Sequence, residues 1–179
     1  MLITRNKYTI NKPLTNHSGR KLITIFQGDT VHHPHHGIGQ VQSIRKRSFS
    51  GEEETTFAQV YFERDGLTLM MRKKDLAKTV RNPINASEAK QLLDHLGKWD
   101  GNMSNKWKVR ASANQVAMER GEPFDYADVY KGLSRLEAEG TLRASDRAHL
   151  NQALKFLVEE LANALGNTLE QARSQIASA

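Results

Sequence analysis

Two different spacings of hydrophobic residues divide this chain of 179 residues. Between residues 24 and 82, short apolar stretches end at glycine, proline or aspartate, which is the pattern of β-strands joined by tight turns. From residue 83 to residue 179, apolar residues recur every three or four positions, as they do on amphipathic helices. Residues 1–23 show neither pattern, and their polar composition favours a flexible arm. We therefore predict an N-terminal extension, a β domain and a helical domain.

The β segment contains enough short strands to form a small barrel. Residues 57–62 are apolar and rich in β-forming side chains, and residues 67–71 are predicted to return beside them. Between these strands, Asp65-Gly66 indicates a type I′ hairpin turn, which requires positive φ at both central residues. A further short strand is possible at residues 22–26. We predict four or five strands in an antiparallel SH3-like or Tudor-like barrel, because closure hides the strand edges.

Capping signals place about five helices after residue 83, which makes the predicted fold class α+β. The predicted N-caps are Asn85, Ser104, Asp125, Ser145 and Thr168. The first and last of these are followed three residues later by Glu or Gln, which is the spacing of a capping box. The helix that begins near Ser145 carries the longest apolar stripe and ends at a glycine.

The composition restricts the classes of function. Cysteine is absent, which excludes disulfides, a thiolate nucleophile and cysteine-ligated zinc, and indicates a reducing compartment. No stretch approaches the roughly 18 apolar residues that a membrane helix requires. We expect a cytoplasmic protein with no membrane partner.

The formal net charge of +6 is distributed unevenly along the chain. Residues 1–23 carry five basic and no acidic residues, whereas residues 83–179 carry twelve basic and thirteen acidic residues. The overall positive charge is therefore weak evidence for binding to nucleic acid. Any nucleic-acid surface in the helical domain must be a local basic patch.

Four histidines around Pro34 are the obvious candidates for metal ligands, because imidazole nitrogen binds zinc and nickel. However, His32 and His33 are adjacent in a predicted strand and should point to opposite faces, and Pro34 bends the chain before His35 and His36. We therefore predict a strand end that enters a tight turn, and no metal site.

The sequence lacks a recognisable catalytic motif. It has no glycine-rich phosphate loop, no serine nucleophile elbow and no cysteine nucleophile. Carboxylates such as Glu159 and Glu160 are expected on solvated helix surfaces. We predict that the protein is not an enzyme and takes no cofactor and no small-molecule substrate.

The segment that holds both tryptophans is locally basic. Trp107 stands at the start of a predicted helix, flanked by Lys106, Lys108 and Arg110. Free N–H groups at a helix N-terminus suit phosphate, and an aromatic side chain among cations can stack on or enter an opened base step. Composition alone also allows Trp107 to be a core residue, and Trp99 is the more core-like of the two.

Two segments resemble the CarD family of bacterial transcription regulators. Residues 28–39 (Gly-Asp-Thr-Val-His-His-Pro-His-His-Gly-Ile-Gly) resemble the opening of its RNA-polymerase-interacting domain, which also occurs in transcription-repair coupling factors, and residues 67–71 resemble the last strand of that domain. Residues 105–114 (Asn-Lys-Trp-Lys-Val-Arg-Ala-Ser-Ala-Asn) match the segment where CarD proteins carry a DNA-contacting tryptophan. The resemblance runs from about residue 26 to the end, without the helicase motifs of the coupling factors.

This resemblance implies a Tudor-like barrel that binds the RNA polymerase β subunit and a helical domain that binds promoter DNA. The implied polymerase contacts are Arg47, Ser48, Met70 and the nearby Arg72. Some family members carry a basic residue at the position of Met70, and Arg72 is a candidate to replace it.

The resemblance also implies that Trp107 is a minor-groove wedge at the upstream edge of the transcription bubble, which would stabilise the promoter open complex. The implied DNA-binding residues are Trp107, Lys106, Lys108, Arg110, Asn114 and Arg147.

Two other functions remain open at the level of sequence. The first is a protein-interaction module without DNA contact, in which Trp107 is buried. The second is a nonspecific DNA-binding protein that acts alone through residues 1–23, which predicts strong and salt-dependent binding to DNA.

Overall fold

The computed structural model describes residues 22–48 and 54–179, and within these ranges it contains four strands and six helices. The strands are β1 (Thr30–His33), β2 (Gly37–Arg47), β3 (Thr55–Phe62) and β4 (Leu67–Arg72). The helices are α1 (Lys73–Thr79), α2 (Ala86–Gly97), α3 (Trp107–Arg120), α4 (Pro123–Ala138), α5 (Ala144–Leu165) and α6 (Leu169–Ser178). The predicted α+β class is confirmed. The predicted flexible arm falls largely on residues outside the described ranges.

The four strands form an antiparallel sheet in the order β1-β2-β3-β4. Residues alternate between the core and the surface, so that Val60 of β3 lies opposite both Val41 of β2 and Leu69 of β4. Gly39 leaves room for the ring of Phe62, because a Cβ atom at Gly39 would lie 2.5 Å from that ring. The core of this β domain consists of Ile25, Val31, Val41, Ala58, Val60, Phe62, Leu76 and Val80.

Two details of the β domain differ from prediction. Residues 22–26 form no strand, although Ile25 is completely buried, because the segment packs on the core without pairing with an edge. The hairpin between β3 and β4 is present, but its turn spans four residues. Gly66 donates to the carbonyl of Glu63 at 3.2 Å and takes the left-handed conformation at φ +59°. The predicted two-residue type I′ turn is therefore wrong.

Helices α2 to α6 form the helical domain around α5, which is 22 residues long. Phe156, Leu157 and Leu161 of α5 are fully buried, as are Tyr126 and Leu133 of α4. These side chains belong to one continuous apolar core that also includes α2 and α6. The apolar stripe that the sequence predicts on α5 therefore faces the centre of the domain.

Capping boxes at Asn85 and Thr168 are confirmed, since each side chain accepts from the third backbone N–H of its helix. The other three predicted caps are wrong. Helices α3, α4 and α5 begin after Lys106, Glu122 and Arg143, none of which makes a side-chain capping bond. For α4 the reason is Pro123, whose fixed φ favours the first helical position and starts the helix before Asp125. For α5 it is a tertiary contact, because Asp146 in its first turn is paired with Arg110 of α3.

A buried carboxylate joins the β domain to the helical domain. Glu160 of α5 is completely inaccessible to solvent and forms an ion pair with Arg81, which follows the β domain. The same carboxylate accepts from the backbone N–H of Ile84 at 3.0 Å and lies 3.6 Å from the imidazole of His32. The expectation that Glu160 lies on a solvated surface is wrong, because α5 packs against the β domain at this point.

Glu159, the neighbouring residue on α5, makes a second contact across the same interface. Its carboxylate accepts from the backbone N–H of Ile38 at 3.2 Å and from Arg64 at 3.1 Å. Burial raises the pKa of Glu159, and the charge of Arg64 opposes this effect. The expectation of a solvated Glu159 is also wrong, so two consecutive carboxylates hold the domains together.

The adjacent histidines of β1 point to opposite sides, as predicted. His32 packs between Tyr126 and Phe156 of the helical domain, at ring distances of 5.7 and 5.6 Å. His33 faces the other way and lies 4.8 Å from the ring of His36. Within the described residues, no group of three or more acidic or histidine side chains is arranged to hold a metal ion. No helix in the same ranges is long and apolar enough to cross a membrane.

The junction at Glu160 yields a test of stability. Replacing Glu160→Ala leaves the guanidinium of Arg81 without its carboxylate in a buried site, and we expect the free energy of unfolding to fall by about 3–5 kcal/mol. The control is Glu119→Ala on the exposed surface of α3, for which we expect a change within about 0.5 kcal/mol. Urea denaturation measures both, and equal effects would contradict the role assigned to Glu160.

His33 yields a test of pH dependence. Burial, followed by the charges of His36 and His35, lowers the pKa of His33 to about 4. The unfolded chain therefore binds a proton between about pH 6.5 and pH 4 that the folded protein does not bind. We expect the free energy of unfolding to fall by up to about 3 kcal/mol on acidification through this window.

Replacing His33→Asn should flatten this part of the pH profile, because asparagine retains an acceptor for the backbone N–H of His35 but does not titrate. Above pH 7, the free energy of unfolding should depend on pH with the same slope in the variant and the wild type. Chemical denaturation at a series of pH values measures both profiles, and an unchanged slope between pH 6.5 and pH 4 would assign the effect to another group.

Candidate functional site

The outer face of the sheet combines cations with apolar side chains. Pairing of the strands places Arg45 of β2, Phe57 of β3 and Arg72 of β4 in one row across the sheet. The next row contains Gln59 opposite Met70, and Met70 is 51% exposed. Because side chains alternate along a strand, both rows face away from the core. The result is an exposed apolar centre with arginines beside it.

Three of the four predicted polymerase contacts lie on this outer face. Arg47 continues the alternation of Arg45 along β2, while Met70 and Arg72 lie two residues apart on β4. Ser48 follows the end of β2 and is exposed, next to residues outside the described ranges. The sequence prediction omitted Arg45, although the two-residue period of a strand starting from Arg47 would have identified it.

Trp107 is the first residue of α3 and is 39% exposed. Two cations lie over its ring, with Lys108 Nζ at 5.6 Å and Arg143 Cζ at 5.8 Å from the centroid. Such distances allow cation–π attraction. Lys106 occupies the N-cap position, and the first turn of α3 contains no acidic residue. We call Trp107, Lys106, Lys108 and Arg143 the tryptophan cluster.

The sequence prediction missed Arg143 because it lies 36 positions beyond Trp107, at the N-cap of α5. Only the packing of α3 against α5 brings the two residues together. The predicted cap at Ser145 places the start of α5 too late, so that Arg143 falls outside the predicted helix.

Arg110 and Asn114, which were predicted to contact DNA, are both buried and not on the surface of α3. Arg110 forms a two-pronged ion pair with the completely buried Asp146, at 2.6 and 3.3 Å, and also donates to the carbonyl of Ser104 at 2.8 Å. Asn114 lies one turn further along the same inner face. The ion pair joins the first turns of α3 and α5, and thereby holds Trp107 beside Arg143.

The distribution of side chains on α3 is the reverse of a simple amphipathic pattern. Val109 and Val116 are 54% and 47% exposed, whereas Arg110 and Asn114 face the interior. Met118 is the apolar residue of α3 that is buried on the same inner face. Hydrophobic periodicity therefore does not give an orientation for this helix. The buried ion pair with Asp146, rather than an apolar stripe, determines which face of α3 packs inward.

Arg147 lies one turn beyond Arg143 on α5 and is exposed, as its predicted role requires. It forms an ion pair with Glu137 of α4 at 2.8 Å. Both partners are largely solvent-accessible, so this pair is weak and an approaching phosphate can compete for the guanidinium.

Trp99 has a structural role, as its position in the sequence indicated. Its indole N–H donates to Asp128 at 3.0 Å, and the guanidinium of Arg135 lies 4.8 Å from its ring. Gly101 packs directly on the ring, since a Cβ atom there would lie 2.8 Å from it. Of the two tryptophans, Trp107 is thus the one that is presented to solvent among cations.

The different environments of Arg110 and Lys108 yield a test. Replacing Arg110→Ala leaves the buried Asp146 carboxylate uncompensated, and we expect the free energy of unfolding to fall by about 3–5 kcal/mol. Lys108→Ala removes an exposed charge and should change it by no more than about 0.5 kcal/mol. Denaturant titration of the two variants distinguishes them, and a neutral Arg110→Ala would show that Arg110 is a surface residue.

A basic sheet face on a small β domain, joined to a helical domain that presents an aromatic side chain among cations, is compatible with the class of transcription regulators. Comparison with known families agrees. Residues 26–83 match the CarD-like/TRCF RID domain, and residues 91–177 match the C-terminal domain of CarD. The chain belongs to the CarD family. Its β domain is accordingly a Tudor-like RNA-polymerase-interaction domain.

A curated relative supports the same assignment. The chain is 27% identical over 148 residues to YdeB of Bacillus subtilis (strain 168), a protein named as a candidate transcription factor. The matched region covers 82% of this chain and 96% of that protein. The family is one of transcription factors and not a class of enzymes.

Proposed function

We propose that this protein binds the β subunit of bacterial RNA polymerase through the outer face of its barrel and stabilises the promoter open complex through Trp107. In this proposal the indole enters the minor groove at the upstream edge of the transcription bubble. The observation that carries the proposal is the partly exposed indole of Trp107 at the start of α3, with two cations over its ring.

The polymerase side of the proposal is supported by the chemistry of the sheet face. Arginines bind carboxylates through two parallel hydrogen bonds, and an exposed methionine adapts to an irregular apolar surface. The proposed contacts are Arg47, Ser48, Met70 and Arg72, with Arg45 added from the strand register. Arg72 lies beside Met70 and can supply positive charge at this part of the face.

The DNA side is supported by the tryptophan cluster. Lys106, Lys108 and Arg147 are exposed and can contact backbone phosphates, while Trp107 can occupy a base step that has already lost its stacking. Arg110 and Asn114 are not among the proposed DNA contacts, since both are buried.

The proposed mechanism is a population shift. Promoter opening is close to equilibrium, and a factor that binds the open form more tightly than the closed form stabilises it by the difference in binding free energy. Binding to polymerase raises the effective concentration of the helical domain at the DNA. Weak intrinsic DNA affinity is then sufficient, in agreement with the balanced charge of residues 83–179. Such a factor acts in the bacterial cytoplasm, at the nucleoid, through polymerase.

The two alternative functions predict different behaviour. A protein-interaction module without DNA contact was predicted to have a buried Trp107, whereas the side chain is 39% exposed. Nonspecific DNA binding through residues 1–23 predicts strong and steeply salt-dependent affinity for DNA in the absence of polymerase, and predicts its loss when these residues are removed. Binding assays with and without polymerase therefore separate both alternatives from the proposal.

The proposed wedge is tested with Trp107→Ala in an assay of open-complex lifetime, using purified bacterial RNA polymerase holoenzyme and a linear promoter. We expect the lifetime to shorten by about tenfold, since stacking on a base contributes roughly 1–3 kcal/mol. Binding of the variant to polymerase should be unchanged. The control is Phe124→Ala, which removes an aromatic residue of similar exposure, 38%, from α4 of the same domain.

Arg47→Glu provides the complementary variant, because it reverses a charge on the proposed polymerase face. We expect it to weaken polymerase binding, and to abolish the effect on lifetime at protein concentrations that saturate the wild type. An unchanged lifetime with Trp107→Ala on a pre-opened bubble template would contradict the wedge, whatever the result for Arg47→Glu.

A further inference from the structure

Arg143 occupies a position for which arginine is poorly suited. The N-cap residue of a helix normally accepts hydrogen bonds from free backbone N–H groups, and serine, threonine, aspartate and asparagine do so. Arg143 is the N-cap of α5 and makes no such bond. Its positive charge also lies at the positive end of the helix dipole, which is unfavourable. Local helix stability therefore does not explain this arginine.

The side chain of Arg143 lies instead on the tryptophan cluster. Its guanidinium carbon is 5.8 Å from the ring centroid of Trp107, and Lys108 Nζ lies 5.6 Å from the same ring. The contact crosses between two helices whose first turns are joined by the buried pair of Arg110 and Asp146. The scaffold thus holds Arg143 against the indole.

The cations of the cluster form no ion pair in the part of the chain that the structure describes. Among the ion pairs of the described residues, none includes Lys106, Lys108 or Arg143. The carboxylate nearest in sequence to Arg143 is Asp146, which is already paired with Arg110. Two cations lie over one exposed aromatic ring, Lys106 precedes that ring in the chain, and none of the three forms an ion pair within the described residues. This arrangement favours a polyanionic ligand with an apolar element, and nucleic acid combines phosphates with bases.

We propose that Arg143 is a phosphate-binding residue that also positions the indole of Trp107. Its guanidinium packs on the ring and fixes the orientation in which the indole meets a base step. At the same time, it donates hydrogen bonds to the phosphodiester beside that step. Arginine suits both tasks, because its planar group stacks on aromatic rings and its donors match phosphate oxygens. This inference rests on the proposed function, and it adds a contact from α5 to those from α3.

Arg143→Ser separates a role in DNA binding from a role in folding, because the two roles predict changes of opposite sign. Serine is a favoured N-cap, so the melting temperature should stay the same or rise. We expect binding to a fluorescently labelled fork-junction duplex to weaken about threefold to tenfold. The salt slope, which is the slope of log affinity against log salt concentration, should fall in magnitude by about 0.9. A lower melting temperature, or an unchanged salt slope, would overturn the proposal.

The matched control is Arg173→Ser on α6, which removes the same charge from an exposed position of the same domain. It should leave the salt slope and the affinity for the fork-junction duplex unchanged. Equal losses for Arg143→Ser and Arg173→Ser would mean that only net charge matters, and would also overturn the proposal.

The positioning role is tested by fluorescence in a Trp99→Phe background, where Trp107 is the remaining tryptophan. We expect Arg143→Ser to increase quenching of Trp107 by acrylamide, because the guanidinium no longer covers the ring. Arg143→Lys should keep the salt slope but also increase quenching, since it retains the charge and lacks the planar group. Unchanged quenching in both variants would show that the contact does not exist in solution.

Open-complex lifetimes distinguish the failure of this inference from the failure of the proposed function. If Trp107→Ala shortens the lifetime and Arg143→Ser does not, only the role of Arg143 is lost. If neither variant changes the lifetime, the proposed function itself fails. The expected result is that both variants shorten it, with the larger effect for Trp107→Ala.

Discussion

A carboxylate that is buried in a protein must be paired, because removing its charge from water is costly unless a cation or hydrogen-bond donors replace the solvent. Helix α5 carries two such groups, Asp146 and Glu160, and a third carboxylate, Glu159, that is partly buried. Each of the three is paired with an arginine from a different part of the chain. The pairs are Asp146 with Arg110, Glu159 with Arg64, and Glu160 with Arg81. The first joins α3 to the start of α5, and the other two join the β domain to the middle of the same helix. The arrangement of the molecule depends on these three pairs.

The consequence for function is geometric. The outer face of the sheet and the tryptophan cluster are held by the same helix, so that binding at one surface determines where the other is presented. This geometry suits the proposed function, in which the protein docks on a large partner and presents a single aromatic side chain to DNA. The cations buried within the protein are paired with carboxylates, whereas Lys106, Lys108 and Arg143 around Trp107 are in no ion pair of the described residues. The presence or absence of a carboxylate partner therefore distinguishes the arginines that stabilise the fold from the cations that are available to a ligand.

Local patterns in the sequence were sufficient for much of the fold. Alternating apolar residues and turn signals identified the β segment, and the capping boxes at Asn85 and Thr168 placed the first and last helices of the second domain. These features depend on residues that are close in sequence. The predicted caps of α4 and α5 were wrong because those helices begin at Pro123 and with Asp146 in the first turn, where a proline and a tertiary ion pair act. The register of the sheet, which adds Arg45 to the outer face, also required the pairing of strands.

The sequence by itself determined the two domains, their order and the basic surroundings of Trp107, because Lys106 and Lys108 are its neighbours along the chain. Only the tertiary structure decided that Arg110 is buried and that Arg143 lies on the indole. The physical reason is that burial depends on which face of a helix meets its neighbours. In α3 the buried face carries the ion pair of Arg110 with Asp146, which lies 36 positions further along the chain. The spacing of hydrophobic residues within α3 does not predict this face.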